Sequence, residues 1–125
     1  MRPSDTAIVI LRITLASSLL GIIALATAEL THPLLTSVND KVGHIVAFLY
    51  LAFLLDFSFP DSHFDKLKVI LLLAYGLLIE VIQYFLPYRT FSFLDLVADG
   101  VGVTLYFLLI PILKYIPLVR LRWRG

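Results

Sequence analysis

No cysteine occurs among the 125 residues, which removes disulfides, thiolate metal sites and a cysteine nucleophile and leaves the redox compartment open. Charge is scarce too: Asp, Glu, Lys and Arg make up 15% of the chain, against 60% hydrophobic residues. A water-soluble domain of this length needs far more polar surface, so the composition excludes that class and points to a bilayer as solvent. A Gly-rich phosphate loop, a Ser/His/Asp arrangement and an HExxH metal motif are all missing. A formal net charge of +1 gives no reason to expect nucleic acid as a partner. The basic tail LVRLRWRG alternates its arginines with apolar residues around Trp123, in the manner of an interfacial anchor.

At about 20 residues per spanning helix, the chain has room for short-looped spans and no separate soluble domain. The expected fold is all-α: a polytopic membrane helical bundle of four transmembrane helices in a single domain, residues 1–125. The first span covers about residues 6–28, with only Arg12 interrupting it, and Arg12 either snorkels or pairs with Asp5. Residues 1–28 also fit a cleaved signal peptide, with Arg2 and Arg12 as the charged region and Ala26-Thr27-Ala28 as the cleavage site. After Pro33, Asn39 or Asp40 is suited to cap the second span, about residues 42–59. A polar turn containing Pro60 and Asp61 leads to the third span, about 67–86. Ser92 is suited to cap the fourth, about 93–116, which carries Pro111 and is ended by Pro117.

Lysine and arginine set the orientation. With four spans, one side collects Arg2, Lys66, Lys68, Lys114, Arg120, Arg122 and Arg124, and the other only Lys41 and Arg89. Seven against two predicts a multi-pass membrane protein with both termini cytoplasmic.

Against that topology, the polar residues inside apolar runs converge. Glu80 and Gln83 interrupt LLLAYGLLIEVIQYFLP; three apart, they share a helix face with Gly76, whose missing side chain lets another helix approach. Asp40, Lys41 and His44 lie where the second helix starts, Glu80 and Gln83 where the third nears the outer side, Arg89 in the outer loop, and Asp95 and Asp99 one turn apart where the fourth helix starts. Gly102 and Tyr106 continue that last face inward. Carboxylates in a membrane are costly and usually face a protein interior or a wet cavity, so this convergence predicts an outward-facing polar pocket. The competing reading is a structural network that holds the bundle together, with Lys41 and Asp40 as interfacial charges and Asp95 favouring its helix N-terminus. Asp56 and His63 are expected at the cytoplasmic interface, outside the cluster.

Four carboxylates (Asp40, Glu80, Asp95, Asp99) oppose Lys41 and Arg89, an excess of two negative charges. The excess suits a protonated group, an ammonium-bearing ligand or a bound cation, whereas Arg89 suits a carboxylate or phosphate. His44 with these carboxylates could supply donors to a divalent metal, but without a recognisable ligand spacing no metal or other cofactor is assigned.

The ordered pattern Asp40-Lys41-x-x-His44-x-x-x-Phe48, Glu80-x-x-Gln83, Arg89, Asp95-x-x-x-Asp99-x-x-Gly102 resembles the VanZ-like membrane protein family. The resemblance covers roughly residues 39–106, short of the first helix and the basic tail. It departs from the family at Asp99, where Asn is frequent, and at Phe48, where Tyr is common. The resemblance implies a small bacterial membrane protein whose polar signature falls on His44, Glu80, Gln83, Arg89, Asp95 and Asp99. It also implies a link to tolerance of the glycopeptide teicoplanin. The expected partners are the lipid bilayer and a cell-wall or lipid-linked ligand, and the expected role lies in cell-envelope physiology. Two alternatives stay open: an intramembrane enzyme with His44 or Glu80 as acid/base, and a small proton-coupled transporter carrying protons on Glu80.

Overall fold

The computed structural model describes residues 4–28, 37–87 and 92–117, with the backbone alone for 37–40. Among them are four helices: α1 (Asp5–Thr27), α2 (Ser37–Ser58), α3 (Lys66–Tyr84) and α4 (Phe93–Leu113). Each contains a stretch long and apolar enough to cross a membrane. No strand occurs among the described residues. The all-α four-helix bundle is therefore the observed architecture.

The helix ends follow local chemistry. Ser4 caps α1, its hydroxyl accepting from the Ala7 amide at 3.1 Å, and Asp65 caps α3, accepting from the Lys68 amide at 3.4 Å. The α2 start corrects the sequence expectation. Asn39 and Asp40 lie inside the helix, not ahead of it, because α2 already begins at Ser37. An acidic residue in a first turn is favoured by the helix dipole, so nothing opposes that extension. At the other ends, α3 and α4 stop two and three residues earlier than expected. Their final turns tighten, with the Phe85 amide bonding to Ile82 and the Tyr115 amide to Ile112. The α4 helix runs through Pro111 to Leu113.

Packing is most extensive between α2 and α4, and Gly102 is the reason. A Cβ there would strike the Ile45 carbonyl and stand 3.0 Å from the Leu49 nitrogen, so the two backbones touch where the side chain is absent. Around this contact lies the apolar core, chiefly Phe48, Leu51, Ala52, Leu72, Val103 and Tyr106. Polar bonds attach α1 along its length: Arg12 Nε donates to the Ser58 carbonyl at 2.9 Å, Ser18 and Tyr50 hydroxyls meet at 2.8 Å, and Tyr75 donates to the Leu19 carbonyl. The Arg12 guanidinium also lies 4.5 Å from the centre of the Phe59 ring, so it pairs with the end of α2 and not with Asp5. The bonds from Arg12 to Ser58 and from Ser18 to Tyr50 run α1 and α2 antiparallel.

Solvent exposure is inverted relative to a water-soluble protein. Leu20, Leu67, Phe107 and Leu108 point outward, while Asp56, Glu80 and Asp99 are fully buried. Lipid as the surrounding solvent accounts for both facts.

Candidate functional site

Two buried polar clusters occupy opposite ends of the bundle, and they differ in how well their members are satisfied. At the end formed by the start of α3 and the end of α2, Lys68 Nζ donates to Asp56 Oδ1 (2.8 Å) and to the Phe59 and Ser62 carbonyls (3.1 and 2.9 Å). Tyr106 donates its hydroxyl to Asp56 Oδ2 at 2.6 Å. The ammonium thus has three acceptors, and each carboxylate oxygen has a donor. This cluster corrects one sequence expectation: Lys68 belongs to the buried face of α3 and not to the turn. Asp56 is a buried anchor outside the Glu80 region, and Tyr106 continues the inward face of α4 and bonds to Asp56. A signal was present in the sequence, since Asp56 interrupts an apolar run as Glu80 does. Its partner 12 residues further on lies across a turn, where helical spacing gives no guidance.

The second cluster lies at the opposite end, where α2 and α4 start and α3 finishes. Asp99, one turn beyond Asp95 on α4, places its carboxylate in the space a side chain at position 76 would fill, against the α3 backbone. Its Oδ1 lies 2.7 Å from His44 Nδ1. A carboxylate can only accept, so Nδ1 carries the hydrogen, and in the neutral ring Nε2 keeps the lone pair. Nε2 faces Asp95 Oδ2 at 3.7 Å. Lys41 Nζ is ion-paired with Asp95 Oδ1 and donates to Ser92 Oγ at 3.1 Å. Ser92 holds the N-cap position of α4 without a side-chain cap bond. Its amide donates instead to Glu80 Oε2 at 3.1 Å, linking α3 to the α4 start.

Glu80 is fully buried, and its Oε1 has no hydrogen-bond partner among the described residues. One oxygen of Glu80, one of Asp95 and one His44 nitrogen lie within 4.8 Å of one another. A buried carboxylate oxygen left unsatisfied costs about 1–3 kcal/mol or more, a cost that a neighbouring positive charge or hydrogen donor would offset.

Of the residues singled out in the sequence, the structure brings Lys41, His44, Glu80, Asp95 and Asp99 together. Gln83 is buried one turn beyond Glu80, but its amide donates to the Ala26 carbonyl at 2.9 Å, which ties α3 to the end of α1. Arg89 and the Asp40 side chain lie outside the described residues. Sequence reading missed Ser92 as a site residue, because its contribution is a backbone amide and a hydroxyl that any cap position offers.

Comparisons with curated proteins and with solved structures gave no match. The VanZ/LLP1 family profile matches residues 6–114. The match takes in the first helix, which the residue pattern at 39–106 did not reach, in keeping with the bonds from Arg12 and Gln83 that make α1 part of the same bundle. All four helices fall essentially within the matched region, and the chain, with the make-up of a multi-pass membrane protein, belongs to the VanZ/LLP1 family.

Proposed function

We propose that the chain is an integral protein of a bacterial inner membrane, with both termini cytoplasmic and the Lys41–His44–Glu80–Asp95–Asp99 cluster lying under the outer surface. There it binds a polar group of a cell-envelope molecule, and through that binding supports tolerance of a glycopeptide such as teicoplanin. The observation that carries the reading is Glu80 Oε1, buried and without a hydrogen-bond partner among the described residues, beside a His44–Asp99 bond and a Lys41–Asp95 ion pair. A network serving only to hold helices together satisfies its carboxylates, as the Asp56–Lys68–Tyr106 cluster does. The bias of lysine and arginine toward the termini supports the orientation.

The test expresses the chain in a host that lacks an outer membrane and compares teicoplanin tolerance with that of the Glu80→Gln/Asp99→Asn double variant. Wild type raises tolerance and the variant, inserted at the same level, does not. Equal tolerance from both makes the cluster a structural network.

A second reading, an intramembrane enzyme acting on a lipid-linked substrate, draws on His44. Its Nδ1 is fixed by a buried carboxylate while Nε2 faces the cluster, an arrangement suited to moving a proton. Turnover of a lipid-linked phosphate by purified protein, lost in His44→Gln, distinguishes it from binding alone.

A further inference from the structure

We propose that His44 Nε2, Glu80 and Asp95 bind one divalent transition-metal cation, of the Zn2+ or Mn2+ class, with Asp99 as the positioning residue behind His44. The proposal deepens the reading of this cluster as a ligand site and rests on it.

Four observations converge. The three residues each offer one donor atom within 4.8 Å of the others. Two ligands held about 2.1 Å from one ion at a tetrahedral angle lie roughly 3.4 Å apart, so the 3.7 Å between His44 Nε2 and Asp95 Oδ2 is close to a chelating separation. The Glu80 carboxylate is fully buried with Oε1 unpartnered among the described residues, so it has an acceptor to give to an ion. Finally, the His44–Asp99 pair has the form that metal-ligating histidines take: one ring nitrogen donates to a carboxylate, which orients the ring and raises the basicity of the other nitrogen.

Charge agrees with the donor geometry. Among the described residues, Glu80, Asp95 and Asp99 set three carboxylates against the Lys41 ammonium, and a divalent cation balances the remainder. Lys41 occupies Asp95 Oδ1, on a different oxygen from the one facing His44, so the ion and the ammonium share the carboxylate without competing for the same atom. One nitrogen with two carboxylate donors favours Zn2+ or Mn2+ over the all-oxygen preference of Mg2+ and Ca2+. Three protein ligands leave at least one coordination position open to a small oxygen ligand.

The test uses the full chain purified in detergent, stripped with chelator and dialysed against Zn2+ alone, with bound metal measured per chain. One Zn2+ per chain is expected for wild type and for His63→Ala, a variant of an exposed histidine outside the cluster. His44→Ala and Glu80→Gln lose the ion. Asp99→Asn keeps the one-to-one stoichiometry with affinity about 10–100-fold weaker, as removal of a supporting carboxylate does. Zn2+ raises the melting temperature of wild type and His63→Ala but not of Glu80→Gln, so retained helical circular dichroism in that variant separates lost binding from lost fold. Wild type without bound Zn2+, or equal binding by wild type, His44→Ala and Glu80→Gln, overturns the assignment. Teicoplanin tolerance lost in Glu80→Gln while wild type takes no Zn2+ overturns the metal and leaves the pocket reading standing. Zn2+ bound by wild type and lost in His44→Ala, with tolerance unaffected by Glu80→Gln, does the reverse.

Discussion

A methyl group at position 76 would run into the Asp99 carboxylate and press on Phe48 Cζ at 3.1 Å. Gly76→Ala is therefore expected to destabilise the bundle by about 1–3 kcal/mol through overpacking, read as earlier unfolding in mixed micelles. The same variant displaces the carboxylate that orients His44. At the opposite cluster the expected loss is larger. Lys68→Ala strips a buried Asp56 of its ammonium, at a cost of about 3–5 kcal/mol, and Asp56→Asn/Lys68→Met recovers much of it. A double variant no more stable than Lys68→Ala would show that the pair contributes by packing instead of charge. These residues were not equally legible in the sequence. Glu80 and Asp99 stood out as carboxylates in apolar runs, and helical spacing put each on a definable face. Asp56 carried the same signal but lies three residues from Phe59, where the run was expected to end, so it read as an interface residue. The partners of Lys68 and Arg12 were not legible at all, since long flexible side chains reach across turns and between helices in ways spacing does not record.

Between elements, the governing contact is the crossing of α2 and α4 at Gly102. Gly102→Ala forces the backbones apart at Ile45 and Leu49, and neither can retreat as a flexible side chain would. At Gly100, two residues earlier, an added methyl group would meet nothing within 4 Å, so Gly100→Ala is expected to stabilise α4 by up to about 1 kcal/mol through helix propensity. Opposite signs from two alanines on one helix, measured by thermal unfolding in detergent, check the crossing; equal effects would count against it. The helices themselves were legible from apolar length alone. Their ends were not legible to better than a few residues, because capping competes with dipole and with tightened final turns. The α2 start is the clearest case: Asn39 and Asp40 are good caps in isolation, yet Ser37 begins the helix.

For the whole molecule, the missing cysteines become an advantage, since any single cysteine introduced is the sole reporter. The proposed orientation, with both termini cytoplasmic, predicts that His63→Cys in the turn between α2 and α3 labels with an impermeant maleimide only from the cytoplasmic side. Pro87→Cys after α3 should label only from outside. The reverse pattern would invert the bundle and move the Glu80 cluster to the cytoplasmic face. The bond between Arg12 and the Ser58 carbonyl also bears on how the bundle is made. It joins positions 46 residues apart, so α1 emerges from the ribosome well before the acceptor for its arginine exists. At about 5–20 residues per second, the delay is roughly 2–9 s, during which an arginine within an apolar segment carries an insertion penalty of up to about 3.5 kcal/mol. The first helix therefore bears that cost alone until the second supplies the acceptor for its arginine.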